Sequence, residues 1–153
     1  MKKTLLIIAL FIGLGNVNAQ NSTNVATWAE TIGFIEKYQS SLRINGWICE
    51  DDLACEVENS NIQGDVWKFK YSHEYVTIDL SKLSEVTILN DAFNLEFTSK
   101  CVQIVFYRDS DSKDEVIQYY NSKTFIIYDS ELQKRMIKAF QHLVYLATEK
   151  REA

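Results

Sequence analysis

Proline is absent from all 153 residues, so no proline-rich linker divides the chain. Glycine is scarce. Two of the five, Gly13 and Gly15, fall in an apolar N-terminal run, leaving too few for a glycine-rich phosphate loop and excluding a nucleotide site. Histidine occurs only at His73 and His142, and cysteine only at Cys49, Cys55 and Cys101. A zinc site usually needs four ligands, often from closely spaced cysteine pairs, and a redox pair is usually C-x-x-C. The stretch "CEDDLAC", Cys49 to Cys55, fits neither pattern, and no G-x-S-x-G elbow marks a serine nucleophile. No metal, cofactor or catalytic residue is therefore expected. Positive charge is also short, with 16 Lys and Arg against 21 Asp and Glu. An acidic surface repels phosphate backbones and anionic lipid, which excludes nucleic acid and membrane headgroups as partners.

No apolar run is long enough to cross a bilayer, which takes about 20 residues. The chain opens "MKKTLLIIALFIGLGNVNAQ". Lys2 and Lys3 precede an apolar core from Leu5 to Leu14, and Val17-Asn18-Ala19 forms a small-residue cleavage signal. This predicts a signal peptide over residues 1–19 and a periplasmic or extracellular mature protein, residues 20–153, forming one domain. Cleavage removes Lys2 and Lys3 and no acid, taking the formal charge from −5 to −7.

In the mature chain, "TWAETIGFIEKYQSSLRING" predicts a helix over about 27–43. Thr27 and Glu30 have capping-box spacing, Gly46 follows as a stop, and Trp28, Ile32, Ile35, Tyr38 and Leu42 form one apolar stripe. Between Asp65 and Tyr128 the hydrophobic period becomes two. Seven short runs, "VWKFKY", "YVTIDL", "EVTIL", "FNLEF", "CVQIVFY", "EVIQYY" and "TFIIY", are separated by polar turns. They predict a seven-stranded antiparallel meander. "DSELQKRMIKAFQHLVYLATEK" predicts a helix over about 130–149, capped by Asp129 or Ser130, with Phe140 and Leu143 on its apolar face and His142 opposite, in solvent.

Seven strands closed by a C-terminal amphipathic helix, the order of an α+β sheet or barrel, resembles a pleckstrin-homology-like (PH-like) domain. The segments "TWAETIGFIEKY", "YVTIDLSKLSEVTI" and "ELQKRMIKAFQHLVYLA" resemble small exported bacterial proteins in which such a domain follows an N-terminal helix. The resemblance implies a fold and carries over no functional residues. It departs from phosphoinositide-binding domains at the first hairpin, where Ser72-His73-Glu74 stands in place of a basic cluster.

Export makes oxidation the default state of neighbouring thiols. Three cysteines allow one bridge: Cys49–Cys55 is expected, and a bridge from Cys101 to the loop is the alternative. Closing the short loop would stabilise the fold by about 2 kcal/mol. Glu50, Asp51, Asp52, Glu56 and Glu58, and the run Asp109 to Glu115, are acidic enough to attract calcium, but the second lacks the loop glycine and final acid and both read as solvated loops. Trp47, Trp67, Tyr119 and Tyr120 are candidates for a recognition surface, since Tyr and Trp are enriched in such places. Three functions follow: a non-catalytic module for a protein or peptide, a carrier of a small apolar ligand between sheet and helix, or a hydrolase using His73. Oligomeric state has no signature in the sequence.

Overall fold

Thr27 starts the first helix by the reciprocal contacts its spacing implies. Its hydroxyl accepts from the Glu30 amide at 3.2 Å, and the Glu30 carboxylate accepts from the Thr27 amide at 2.9 Å. The computed structural model describes residues 25–45, 49, 54–107 and 114–153, so the expected signal peptide lies outside the described residues. Helix α1 spans Trp28–Tyr38 and is followed by a single 3-10 turn, Gln39–Ser41. It ends earlier than the expected 43. Gln39 donates to the Ser60 carbonyl at 3.2 Å and accepts from the Ser60 hydroxyl at 2.5 Å, which pins the helix end to a neighbouring strand. Leu42 is buried as its spacing suggested, but on extended backbone.

Six of the seven expected runs form strands and the seventh, "TFIIY", does so only at Thr124 and Phe125: β4 Val66–Tyr71, β5 Glu74–Asp79, β6 Leu83–Ile88, β7 Phe93–Phe97, β8 Val102–Tyr107, β9 Glu115–Tyr120 and β10 Ser122–Phe125. Three more precede them: β1 Arg43–Ile44, β2 Cys55–Glu56 and β3 Glu58–Gln63. The expected meander is not what they build. Among the described residues there are three antiparallel sheets, ordered β3-β4-β5-β8-β9, β10-β7-β6 and β1-β2, and none closes into a barrel.

The chain changes sheet at short polar corners. After β5, the Asp79 carboxylate accepts from the Ser81 amide at 3.0 Å and from its hydroxyl at 2.6 Å. That caps the 3-10 turn Leu80–Lys82, which redirects the chain into β6. After β7, the Thr98 amide donates to the Lys82 carbonyl at 2.9 Å as the chain returns to β8. After β9, the Asn121 carbonyl accepts from the Phe97 amide at 2.9 Å, and β10 joins the smaller sheet.

Helix α2, Ser130–Glu152, is capped by Asp129, whose carboxylate accepts from the amides of Glu131 and Leu132, both at 3.0 Å. It runs past the expected 149 because Lys150 pairs with Asp65 at 2.9 Å and Arg151 donates to the Ser81 carbonyl at 2.7 Å. Between this helix and the sheets, Trp67 lies 5.2 Å from Phe125 and 5.9 Å from Phe140, and Phe93 lies 5.8 Å from Phe140. All four rings are fully buried. Each contributes on the order of 1.5–3 kcal/mol by leaving water.

His142 corrects the expectation of a solvated side chain. It is 3 % exposed, and its Nε2 lies 2.7 Å from the Ala26 carbonyl. A carbonyl oxygen only accepts, so Nε2 holds the proton. The cause is a second buried side of α2: the segment entering α1 and α1 itself pack there, with the Arg135 guanidinium 5.3 Å from the Phe34 ring and 5.2 Å from the Tyr38 ring.

Candidate functional site: an open sheet edge and a buried lysine

Tyr120 ends β9 and Ser122 begins β10, yet the two strands belong to different sheets. β9 is consequently an edge of the five-stranded sheet, and among the described residues no strand pairs with its outer side. The edges of β3, β6 and β10 each carry a feature that β9 lacks. On β3, the Ile62 amide donates to the Glu36 carboxylate at 3.2 Å, the Ser60 carbonyl is taken by Gln39, and the register shifts between Glu58 and Asn61. On β6 the register shifts between Leu83 and Glu85, and Arg151 takes the Leu83 carbonyl at 3.1 Å. The edge of β10 continues into an exchange of 2.8 Å backbone hydrogen bonds between Arg43 and Ile126. β9 pairs with β8 without a register shift and contains neither lysine nor proline, the usual protections of an exposed edge.

The register fixes what flanks this edge. Tyr75 faces Val105, which faces Ile117, and Thr77 faces Gln103, which faces Tyr119, all on the outer face. Ile117 is 45 % and Tyr119 53 % exposed, and Tyr75 and Tyr107 meet edge-on at 6.5 Å beside them. The Tyr119 hydroxyl accepts from Gln103 at 3.1 Å. Residues 116, 118 and 120 belong to the inner face, opposite Phe106, Ile104 and Val102, yet Gln118 and Tyr120 are exposed. Tyr120 is 42 % exposed and donates to Gln118 at 2.5 Å. Side chains on both faces of β9 are thus within reach of an added strand.

Where β10 passes the β4–β5 hairpin, three polar groups meet. The Tyr71 hydroxyl donates to the Glu74 carboxylate. Lys123 donates from Nζ to the Tyr71 hydroxyl at 3.1 Å and sits 4.5 Å from that ring's centre. Burial, then the bond to Glu74, pushes the Tyr71 hydroxyl far above its ordinary value. Burial lowers Lys123 to about 8, against a smaller opposing effect of the Glu74 charge.

The residues singled out in the sequence have separate fates. Tyr119 and Tyr120 lie on β9. Trp67 does not belong to any surface: it is 0 % exposed and donates to Ser60 Oγ at 2.8 Å within the core. Trp47 lies outside the described residues, as do Glu50, Asp51, Asp52 and Asp109. Cys49 and Cys55 form the disulfide, with Cα atoms 5.5 Å apart, closing the loop between β1 and β2. Cys101 is a free thiol, half-buried, with its sulfur 3.6 Å from the Asp79 carbonyl, so the alternative bridge is not formed. His73 is exposed in the β4–β5 turn, and no three His, Cys, Asp or Glu side chains gather to hold a metal among the described residues. No described helix is long and apolar enough to cross a membrane.

Sequence reasoning missed Tyr75, Ile117, Tyr71, Glu74 and Lys123. A signal for the last was present: on a strand, Lys123 shares a face with Phe125, the fully buried residue two places on. No protein family, curated protein or solved structure matches this chain.

Proposed function

We propose that this protein is an exported, non-catalytic module that binds an extended peptide by adding it as a further strand along β9. The observation that carries this reading is the contrast between β9 and the edges of β3, β6 and β10: β9 is six residues long, unshifted in register and without a strand on its outer side among the described residues. Main-chain hydrogen bonds would supply affinity, and Ile117, Tyr119 and Tyr120 would select side chains on the incoming strand. A PH-like reading of the fold is supported by the run of seven strands β4–β10 before α2, with α1 ahead of them. The Cys49–Cys55 bridge suits the oxidising setting of an exported protein. A ligand carrier is less favoured, because Trp67, Phe93, Phe125 and Phe140 fill the space between helix and sheets with packed rings.

Selection from a displayed random-peptide library tests the proposal. Selected peptides should share an alternating apolar pattern, and Ile117→Lys or Tyr119→Lys should weaken them at least about tenfold, because each removes a contact and puts on the edge a charge that opposes strand pairing. Val66→Lys, on the outer face of β4 away from this edge, should leave binding unchanged. Peptides that bind both β9 variants as tightly as the parent would refute the proposal.

A further inference from the structure

We propose that Lys123 is a Schiff-base site for small neutral aldehydes, with Tyr71 and Glu74 as its proton relay. Three contacts place the groups in sequence: Lys123 Nζ is 3.1 Å from the Tyr71 hydroxyl, the ammonium lies over the Tyr71 ring, and that hydroxyl is hydrogen-bonded to Glu74. The three come from β10, β4 and β5, so both larger sheets are needed to assemble them. Lys123 and Glu74 are each half-buried, so the side chain that carries the amine is not sealed in the core.

In the condensation, the nitrogen lone pair attacks the carbonyl carbon and a C–N bond forms. Both protons that the nitrogen sheds end on the former carbonyl oxygen, which leaves as water as the C=N bond forms. Tyr71 and Glu74 pass those protons without net gain or loss, and no oxidant or reductant takes part. General acid–base help of this kind is effective when the relay touches the reacting group. Desolvation favours the reactive, unprotonated amine: at neutral pH its population exceeds that of an ordinary exposed lysine on the order of a few hundredfold. The Glu74 carboxylate, beside an amine that loses its charge on condensing, disfavours anionic carbonyl compounds. Tyr120 is the other titratable group acting on Tyr71 here.

The test is reductive alkylation of the native, disulfide-bonded protein with propanal and cyanoborohydride, mapped by peptide mass spectrometry. At pH 7, Lys123 should be alkylated at least about tenfold faster than the exposed Lys68, Lys100 and Lys134, the margin left after its partial burial slows access. The preference should vanish in denaturant, and glyoxylate should react more slowly at Lys123 than propanal does. Tyr71→Phe keeps the ring and removes the relay, so it should slow Lys123 alone. Alkylation of Lys123 no faster than Lys100 in the folded protein would overturn the site, and an unchanged rate in a folded Tyr71→Phe protein would overturn the relay.

Discussion

Tyr120 faces Val102 across the larger sheet, while Ser122, two residues on, faces Glu96 across the smaller one. This abrupt change of partner leaves β9 as an edge and brings Lys123 of β10 against Tyr71 of β4. Both functional proposals depend on that corner.

The Cys49–Cys55 bridge closes a short loop beside the two-residue ladder of β1 and β2, so its effect is modest. Replacing both cysteines by serine should lower unfolding free energy by about 2 kcal/mol in a denaturant titration. Cys101→Ser should change it by less than about 1 kcal/mol, because that thiol is only half-buried and makes one long contact to the Asp79 carbonyl.

His142 ties α2 to the segment leading into α1 through the Ala26 carbonyl. His142→Ala removes a buried hydrogen bond and should cost about 1–3 kcal/mol. Loss of less than about 0.5 kcal/mol would show that this contact contributes little to docking the two helices.

Lys123 makes stability depend on alkaline pH. Its folded value, about 8, lies below its unfolded 10.5, so between these values the unfolded chain binds more protons and stability rises with pH. Above about 10 the raised Tyr71, Tyr107 and Tyr145 act in the opposite direction, since the unfolded phenols then lose protons that the folded ones keep. Between pH 8 and about 10, the wild type should gain about 1–2 kcal/mol relative to Lys123→Met, allowing for the partial exposure of Lys123. Parallel stability curves for the two proteins would contradict this.

Strand positions were legible where the runs alternate, as in β4: Trp67, Phe69 and Tyr71 point inward while Val66 and Lys68 face water. Their pairing was not legible, since alternation fixes a face and not a neighbour. β3, "ENSNIQ", escaped notice because a guarded edge under a helix needs few apolar residues, and Ile62 alone is buried. His142 misled for a related reason. A single-stripe reading of α2 finds the side on Met136, Phe140 and Leu143, but not a second buried side through Arg135 and His142, whose groups are polar. The edge at β9 depended on the sheet order, although Tyr119 and Tyr120 were visible as candidates.

Amide hydrogen exchange across Glu115–Tyr120, with and without a library-selected peptide, addresses β-strand addition most directly. Added main-chain hydrogen bonds should slow exchange at alternate amides of β9, those directed away from β8, by at least about tenfold, while α2 stays unchanged. Binding with no slowing on β9, or slowing confined to α1 and α2, would contradict peptide addition at this edge.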